Sequence, residues 1–196
     1  MKIYITIVAA FAATCVAITQ ATGSENLVKN PDLSSDTAGW ETMCMPRTDG
    51  ASVRNKEANF ISHVADQGAA GTQGCLKVST KLEEGTLNTT NNTGACASIV
   101  KVSGSDETPA RVKVTFYAKS ADHTTEYLYI GRVGGGGNKH ALPITSDWQK
   151  FEVEISAPYP ISGIIFCPTN KIGKDAVNGE VLLDEVAVED LGPISH

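Results

Sequence analysis

The fold is decided by three runs of sequence: RVKVTFYAKS (111–120), EYLYIGR (126–132) and DWQKFEVEI (147–155). In each run apolar and polar residues alternate, so that Val112 and Lys113, for example, fall on opposite faces of an extended chain. Alternation with a period of two, rich in β-branched and aromatic residues, is typical of half-buried strands. We therefore predict three consecutive antiparallel strands with one face toward a core.

Short apolar runs continue this pattern on both sides of the central stretch. They are Leu27-Val28, 60–64, CLKVST (75–80), ACASIVKVSG (95–104), IIFCP (164–168) and VLLDEVAVED (181–190). Turn-forming residues separate them, and no segment shows a helical period of useful length. About ten short strands separated by turn signals predict an all-β sandwich or barrel.

The glycine run GRVGGGGNKH (131–140) invites comparison with a phosphate-binding loop. Such a loop ends in Gly-Lys followed by Ser or Thr and opens a helix, and neither feature is present here. The run therefore predicts a flexible hairpin loop. It could still lie beside a ligand, because loops on rigid scaffolds often carry binding residues.

The first residues, MKIYITIVAAFAATCVAITQA, contain one Lys, then an apolar run and then small residues. This order is typical of a secretory signal peptide. We predict a signal peptide at 1–23 and a single domain at 24–196, a length that suits one domain. No second long apolar run follows, so no membrane span is predicted. The expected location is secreted or periplasmic/extracellular.

The charge balance argues against two classes of partner. Of the 16 basic residues Lys2 is lost with the signal, which leaves 15 against 22 acidic residues and a net charge of −7. No basic block offsets this charge, so nucleic acid and anionic membranes are not expected partners. The oligomeric state is left open.

Four cysteines remain after the signal: Cys44, Cys75, Cys96 and Cys167. An even number in an exported chain predicts two disulfides. Sequence alone cannot choose among the three possible connectivities. Cys44–Cys75 with Cys96–Cys167 is the favoured pairing, and the alternative is that some of the four are buried free thiols.

Three separated pieces together resemble carbohydrate-binding modules of families 4, 9 and 22. They are NLVKNPDLSSDTAGW (26–40), TFYAKS (115–120) with DWQKFEVEI, and VLLDEVAVED. The resemblance implies a galactose-binding-like jelly-roll sandwich of two antiparallel sheets that binds a polysaccharide or oligosaccharide without cleaving it. The opening piece departs from the family pattern, because Leu33 and Ser34 stand where Phe and an acidic residue are usual.

Sugar recognition needs flat aromatic faces, because the C–H face of a pyranose stacks on Trp or Tyr rings. The resemblance implies that Trp40 and Trp148 pack inside the sandwich. The predicted ligand-binding residues are therefore three tyrosines opposite the aliphatic faces of their strands, with two basic neighbours: Tyr117, Tyr127, Tyr129, Lys119 and Arg132. The alternative is that a second sheet covers these tyrosines, since alternation does not say which face lies inside.

Asp184 interrupts the apolar run VLLDEVAV and matches the closing Asp of the resembling modules. Those modules often tie the opening loop to the closing strand with Ca²⁺, which implies a structural calcium site at Asp184, Asn30 and Asp32, with Ser34 as a further candidate. Calcium binds six to eight oxygen ligands. The alternative is that Asp184 accepts backbone N–H bonds or pairs with a Lys.

The leading hypothesis is an exported, non-catalytic carbohydrate-binding protein. A structural or adhesive surface protein with the same scaffold is the alternative, because one fold serves many functions. A small glycan-active enzyme is the third hypothesis. Glu152 and Glu154 lie on one face of a strand, roughly 6–7 Å apart, and glycosidases use carboxylate pairs at comparable separations.

Overall fold

The computed structural model describes residues 25–43, 47–48, 51–52, 60–69, 71–80, 94–133, 140–170 and 179–193. The predicted signal peptide at 1–23 lies outside these ranges, and so does Cys44. Every regular element in the described part is a strand. In chain order the strands are β1 (Trp40–Met43), β2 (Arg47–Thr48), β3 (Ala51–Ser52), β4 (Ile61–Ala65), β5 (Gly74–Ser79), β6 (Gly94–Val102), β7 (Ala110–Ser120), β8 (Tyr127–Arg132), β9 (His140–Pro143), β10 (Gln149–Ala157), β11 (Ile161–Thr169) and β12 (Glu180–Asp190).

Ten of these strands form two five-stranded sheets. Sheet one has the order β1-β6-β11-β8-β9, sheet two has the order β10-β7-β12-β5-β4, and β2 pairs with β3 alone. All pairings are antiparallel. The predicted all-β jelly-roll sandwich is confirmed. Within the described residues no helix has the length and apolar character needed to cross a membrane.

The predicted consecutive array of three strands is wrong in one respect. Strand β7 pairs with β10 along its whole length, from Ala118 opposite Gln149 to Ala110 opposite Ala157. Strand β8, however, lies in the other sheet between β11 and β9. Residues 121–126 cross from sheet two to sheet one. Alternation divides the residues of a strand between two faces, but it does not identify the neighbouring strand.

The core lies between the sheets and is built from the alternating positions. Phe116 of sheet two meets Phe166 of sheet one edge to face, with ring centroids 5.2 Å apart. Trp40 packs on Phe166 at 5.6 Å. Such aromatic pairs contribute about 0.5–1.5 kcal/mol beyond their buried area. The implied burial of Trp40 is confirmed, since 6% of its surface is exposed.

The predicted disulfides are not formed between the described cysteines. Cys75 and Cys96 are buried free thiols, so neither favoured pair is present. Cys96 lies opposite Ile165 on β11, which leaves Cys167 two residues further along that strand. Diagonal neighbours of this kind have Cα atoms about 7–8 Å apart, and a disulfide requires less than about 7 Å.

Candidate ligand-binding groove

The outer face of sheet two, which points away from sheet one, carries two different charge environments. In one half every basic residue along β7 has an acidic partner. Arg111 Nη2 lies 2.8 Å from Glu154 Oε1, and Lys113 Nζ lies 2.8 Å from Glu189 Oε2. The hydrogen bond to Glu189 raises the pKa of Lys113. This half is a solvated surface of cross-strand ion pairs.

The other half forms a groove of about 410 Å³, lined by Val64, Gln67, Lys77, Lys119, Ser120, Ala121, His123, Ser146 and Leu182. Strand β12 provides its floor, because Leu182 lies opposite Lys119 on β7 and opposite Lys77 on β5. Lys77 Nζ lies 3.2 Å from Glu180 Oε2. Among the described residues Lys119 has no carboxylate partner. The groove therefore combines an apolar floor with hydrogen-bonding and basic walls.

An aromatic side chain stands beside Lys119. Its Nζ lies 5.0 Å from the centroid of the Trp148 ring, and Trp148 is half-buried. The segment before β10 is fixed to the last residue of β7, because Ser120 N donates to Thr145 O at 2.7 Å. It is also fixed to the residue just before β8, because Ile144 N donates to Glu126 O at 3.0 Å. These backbone bonds hold Ser146 on the groove wall and Trp148 beside Lys119.

The opposite wall consists of residues 66–69 and 71–73, called here the loop 66–73, and it is anchored on Asp184. Ala69 N donates to Asp184 Oδ2 at 2.7 Å, and the Thr72 hydroxyl donates to the same oxygen. Gly68 is required in this loop, since a Cβ there would stand 2.0 Å from Thr72 Oγ1. The anchor places Gln67 on the groove.

Asp184 is fully buried. It accepts hydrogen bonds from backbone N–H groups, which is the alternative to a calcium site that the sequence allowed. Its Oδ1 accepts one further bond, from Glu185 N at 2.8 Å. A buried carboxylate with several N–H and O–H donors needs no counter-ion to offset its loss of water. The pairing with a Lys that the sequence also allowed is not what the structure shows.

The predicted calcium ligands fit an ion in part. The opening loop does lie against the closing strand, because Val186 N donates to Pro31 O at 2.8 Å. Asn30, however, donates its side-chain amide to Asp36, and Asp32 Oδ1 accepts Ser34 N at 3.4 Å. The described residues contain no cluster of three or more His, Cys, Asp or Glu side chains able to hold a metal. Calcium therefore stays a prediction.

Asn26 is a structural residue that sequence reasoning missed. Its Oδ1 accepts Val28 N at 3.1 Å and Val188 N at 2.9 Å, and its Nδ2 donates to Val186 O at 3.3 Å. Leu27 N also donates to Val188 O at 2.9 Å. Asn26 thus ties the opening segment to β12 without an ion.

The structure separates the predicted ligand-binding residues between two sheets. Tyr117 and Lys119 lie on β7 in sheet two, whereas Tyr127 and Tyr129 lie on β8 in sheet one. The predicted single platform is therefore wrong, and the reason is the misassigned neighbour of β8. Arg132, at the far end of β8, stacks on Tyr159 instead, with its Cζ 5.4 Å from the ring centroid.

The two tyrosines of β8 differ in how much of the side chain is exposed to solvent. Tyr129 is 8% exposed and packs with Ile165 and Cys167 on the outer face of sheet one. Tyr127 is half-buried at the start of the strand. Tyr117 is also half-buried, and Lys150 Nζ lies 5.8 Å from its ring centroid. Exposed aromatic surface is therefore available on both sheets, and the groove described above lies on sheet two.

The two glutamates considered for catalysis lie on the outer face of β10, the edge strand of sheet two, and both are exposed. Glu154 Oε1 accepts Arg111 Nε at 2.8 Å and is 2.8 Å from its Nη2. Glu152 lies opposite Thr115. Glu154 therefore forms an ion pair with Arg111 on an exposed strand face.

No protein-family model matches this chain, and no curated protein matches it. Solved structures match its fold. A two-module piece of Clostridium thermocellum endo-1,4-β-D-xylanase 10B, containing CBM22-1 and GH10 modules and complexed with xylohexaose, aligns over 88% of this chain at 11% identity and a TM-score of 0.52. The enzymatically active domain of bacteriophage CBA120 tailspike protein 4 aligns over 85% at 12% identity and a TM-score of 0.51.

This chain spans 30% of the xylanase structure and 21% of the tailspike structure. TmCBM61 in complex with β-1,4-galactotriose aligns over 85% of this chain and 99% of its own, at 14% identity and a TM-score of 0.47. At such identities the likeness shows the fold alone. The resemblance to carbohydrate-binding modules is confirmed at that level, and assignment to family 4, 9 or 22 stays a prediction.

Proposed function

We propose that this chain is an exported, non-catalytic carbohydrate-binding protein that holds a saccharide in the groove on the outer face of sheet two. The observation that carries the proposal is the groove itself: hydrogen-bonding side chains around an apolar floor, with the half-buried Trp148 ring beside it. Its volume of about 410 Å³ lies within the roughly 300–1,000 Å³ range of small-molecule sites.

The groove has the two kinds of contact that a sugar requires. The indole of Trp148 and the Leu182 floor offer apolar surface to the C–H faces of a pyranose ring. Gln67, Ser146 and Lys119 line the walls and offer amide, hydroxyl and ammonium groups to the sugar hydroxyls. Loop 66–73 and the segment before β10 are both anchored by hydrogen bonds, so the site is largely formed before a ligand arrives.

The outer face of sheet one is the competing surface. Tyr129 is almost fully buried there and has little ring left to stack on a sugar, whereas Tyr127 is half-buried. The scaffold hypothesis predicts that neither surface binds a glycan. The enzyme hypothesis requires Glu154 to act while it is paired with Arg111, so we place binding ahead of catalysis.

A glycan array with the purified protein tests the proposal. We expect retention of at least one saccharide class by the wild type, loss of that signal in Trp148→Ala, and its persistence in Tyr127→Ala. Signal that disappears with Tyr127→Ala but survives Trp148→Ala would move the site to sheet one. An array that stays blank for all classes would favour a structural or adhesive role.

The structural calcium ion is a second proposal, carried by the contact between the opening loop and the segment just after Asp184. Asp184 Oδ1 accepts a single hydrogen bond, from Glu185 N, and is the oxygen that we propose for the ion. An ion that binds only the folded state raises the melting temperature. Excess chelator should therefore lower the melting temperature of the wild type but not of Asp184→Ala. An unchanged melting temperature of the wild type in excess chelator, together with no metal found by elemental analysis, would contradict the calcium proposal.

A further inference from the structure

We infer that the groove on sheet two selects anionic saccharides, those with carboxylate or sulfate groups, an inference that rests on the proposed function. The nine residues that line the groove include Lys77, Lys119 and His123 and no acidic residue. The chain as a whole has a formal charge of −6. A local excess of basic side chains on an acidic protein indicates a site shaped for negative charge.

The two halves of the outer face of sheet two differ in how their basic residues are paired. Arg111 and Lys113 are each matched by a carboxylate across a strand. At the groove Lys77 shares Glu180, whose Oε1 also accepts the Ser79 hydroxyl at 2.7 Å. Among the described residues Lys119 has no acidic partner at all. Lys119 is therefore the basic residue of β7 that has no carboxylate within ion-pair distance among the described residues, whereas Arg111 and Lys113 each have one.

Three acidic residues are close in sequence to residues that line the groove, and their positions decide how strongly they offset the charge of Lys119. Asp122 precedes His123, but its Oδ1 accepts Thr124 N at 3.0 Å and Thr125 N at 2.9 Å, and its Oδ2 accepts Thr124 Oγ1 at 2.8 Å. These hydrogen bonds hold the Asp122 carboxylate against its own turn. Asp66 and Asp147 flank lining residues and are exposed, where solvent and salt screen them.

The geometry places the cations on two sides of one floor. Lys119 and Lys77 lie opposite Leu182 on the two neighbouring strands, so their Cα atoms are about 10 Å apart, twice the strand spacing. The Trp148 ring beside Lys119 Nζ, at 5.0 Å, positions the ammonium next to a stacking surface. A sugar ring over Leu182 and Trp148 would bring an acidic substituent to Lys119.

Calorimetry with matched ligands tests the inference. An oligogalacturonate and its methyl ester share one sugar backbone and differ in the charge of the carboxyl group and in one methyl group. A sulfated oligosaccharide with its desulfated form is the second pair. We expect the charged member of at least one pair to bind about tenfold more tightly, since hydrogen bonds to charged groups are the stronger ones. The advantage should shrink as NaCl is added. The pair that shows it identifies the acidic group.

Two variants on β7 provide the matched comparison. Lys119→Gln should abolish the preference for the charged ligand, whereas Lys113→Gln, on the same face but at the paired end, should retain it. Lys77→Gln is a second groove variant in case Lys119→Gln folds poorly. Equal loss in the Lys113 and Lys119 variants would indicate diffuse surface charge and would overturn the inference.

The outcomes also separate this inference from the proposed function. Equal affinity for charged and neutral members of both pairs overturns the charge selectivity and leaves saccharide binding intact. If neither ligand pair binds while other glycans on the array do, the charge selectivity is likewise overturned and saccharide binding remains supported. A blank array together with silent calorimetry overturns both.

Discussion

Asp184 is the residue on which the groove wall depends, because its buried carboxylate accepts hydrogen bonds from the loop 66–73 and from β12. The sequence singles out Asp184, since an acidic residue in an apolar run needs a partner. The identity of that partner could not be predicted, because Ala69 and Thr72 lie 115 and 112 positions away in the chain. Nothing in the polar run around them marks an anchor.

Replacing this carboxylate should destabilise the fold. Asp184→Ala leaves the buried N–H of Ala69 without its acceptor and removes the part-buried hydrogen bonds from Thr72 and Glu185. An unsatisfied buried group costs about 1–3 kcal/mol. We expect the free energy of unfolding in urea to fall by at least about 2 kcal/mol. Asp106→Ala, at an exposed turn position, is the control and should change little. Similar small effects from both variants would show that the anchor is unimportant.

The buried thiols predict a sensitivity to alkaline pH. Burial, reinforced by Asp184, raises the pKa of Cys75 from 9.0 to about 11, and burial, reinforced by Glu41, raises that of Cys96 from 9.0 to about 12. Below pH 9 both thiols are neutral in the folded and unfolded chains. Between that pH and the folded pKa values the unfolded chain loses protons that the folded chain keeps, so stability declines as pH rises.

Urea midpoints at pH 8.5 and 10.5 measure this decline. The double variant Cys75→Ala/Cys96→Ala should show a smaller decline than the wild type. Both thiols should also react with iodoacetamide in urea without reductant. Failure of Cys75 and Cys96 to be labelled under those conditions would mean that they are oxidised, as the sequence had predicted.

At the scale of elements, alternation within a strand proved more informative than the order of strands. The pattern of β7 alone predicts its burial, since Val112, Val114, Phe116 and Ala118 are fully buried. The placement of β8 could not be predicted in the same way, because both sheets offer an apolar inner face to its Leu128 and Ile130. The predicted tyrosine platform is wrong for the same reason, because it required β7 and β8 to lie in one sheet.

Packing between the sheets should dominate stability at this scale. Phe166 on β11 contacts both Trp40 and Phe116 across the interior and is fully buried. Phe166→Ala should lower the free energy of unfolding by about 3–5 kcal/mol. Val100→Ala on the neighbouring β6 is the control, because 66% of Val100 is exposed. A loss in Phe166→Ala no larger than in Val100→Ala would contradict this account of the core.

At the scale of the whole molecule, function follows from how the two outer faces differ. The outer face of sheet one is largely apolar around Tyr129, whereas that of sheet two is divided into an ion-paired half and a groove. The sequence named Lys119 and Tyr117 but missed Gln67, Lys77, His123 and Ser146. These four residues and Lys119 come from four separate segments of the chain, and His123 shares its segment with Lys119. Trp148 was assigned to the interior by resemblance, and the structure places it half-buried beside Lys119.

The most direct test of saccharide binding on sheet two is a chemical-shift map of the isotope-labelled protein titrated with the saccharide that the array retains most strongly. The account predicts that the shifted backbone amides cluster at Gln67, Lys77, Lys119, His123 and Ser146, together with the indole N–H of Trp148. Amides around Tyr127 and Tyr129 should stay in place. Shifts confined to β8 and β11, or no shifts at saturating ligand, would contradict it.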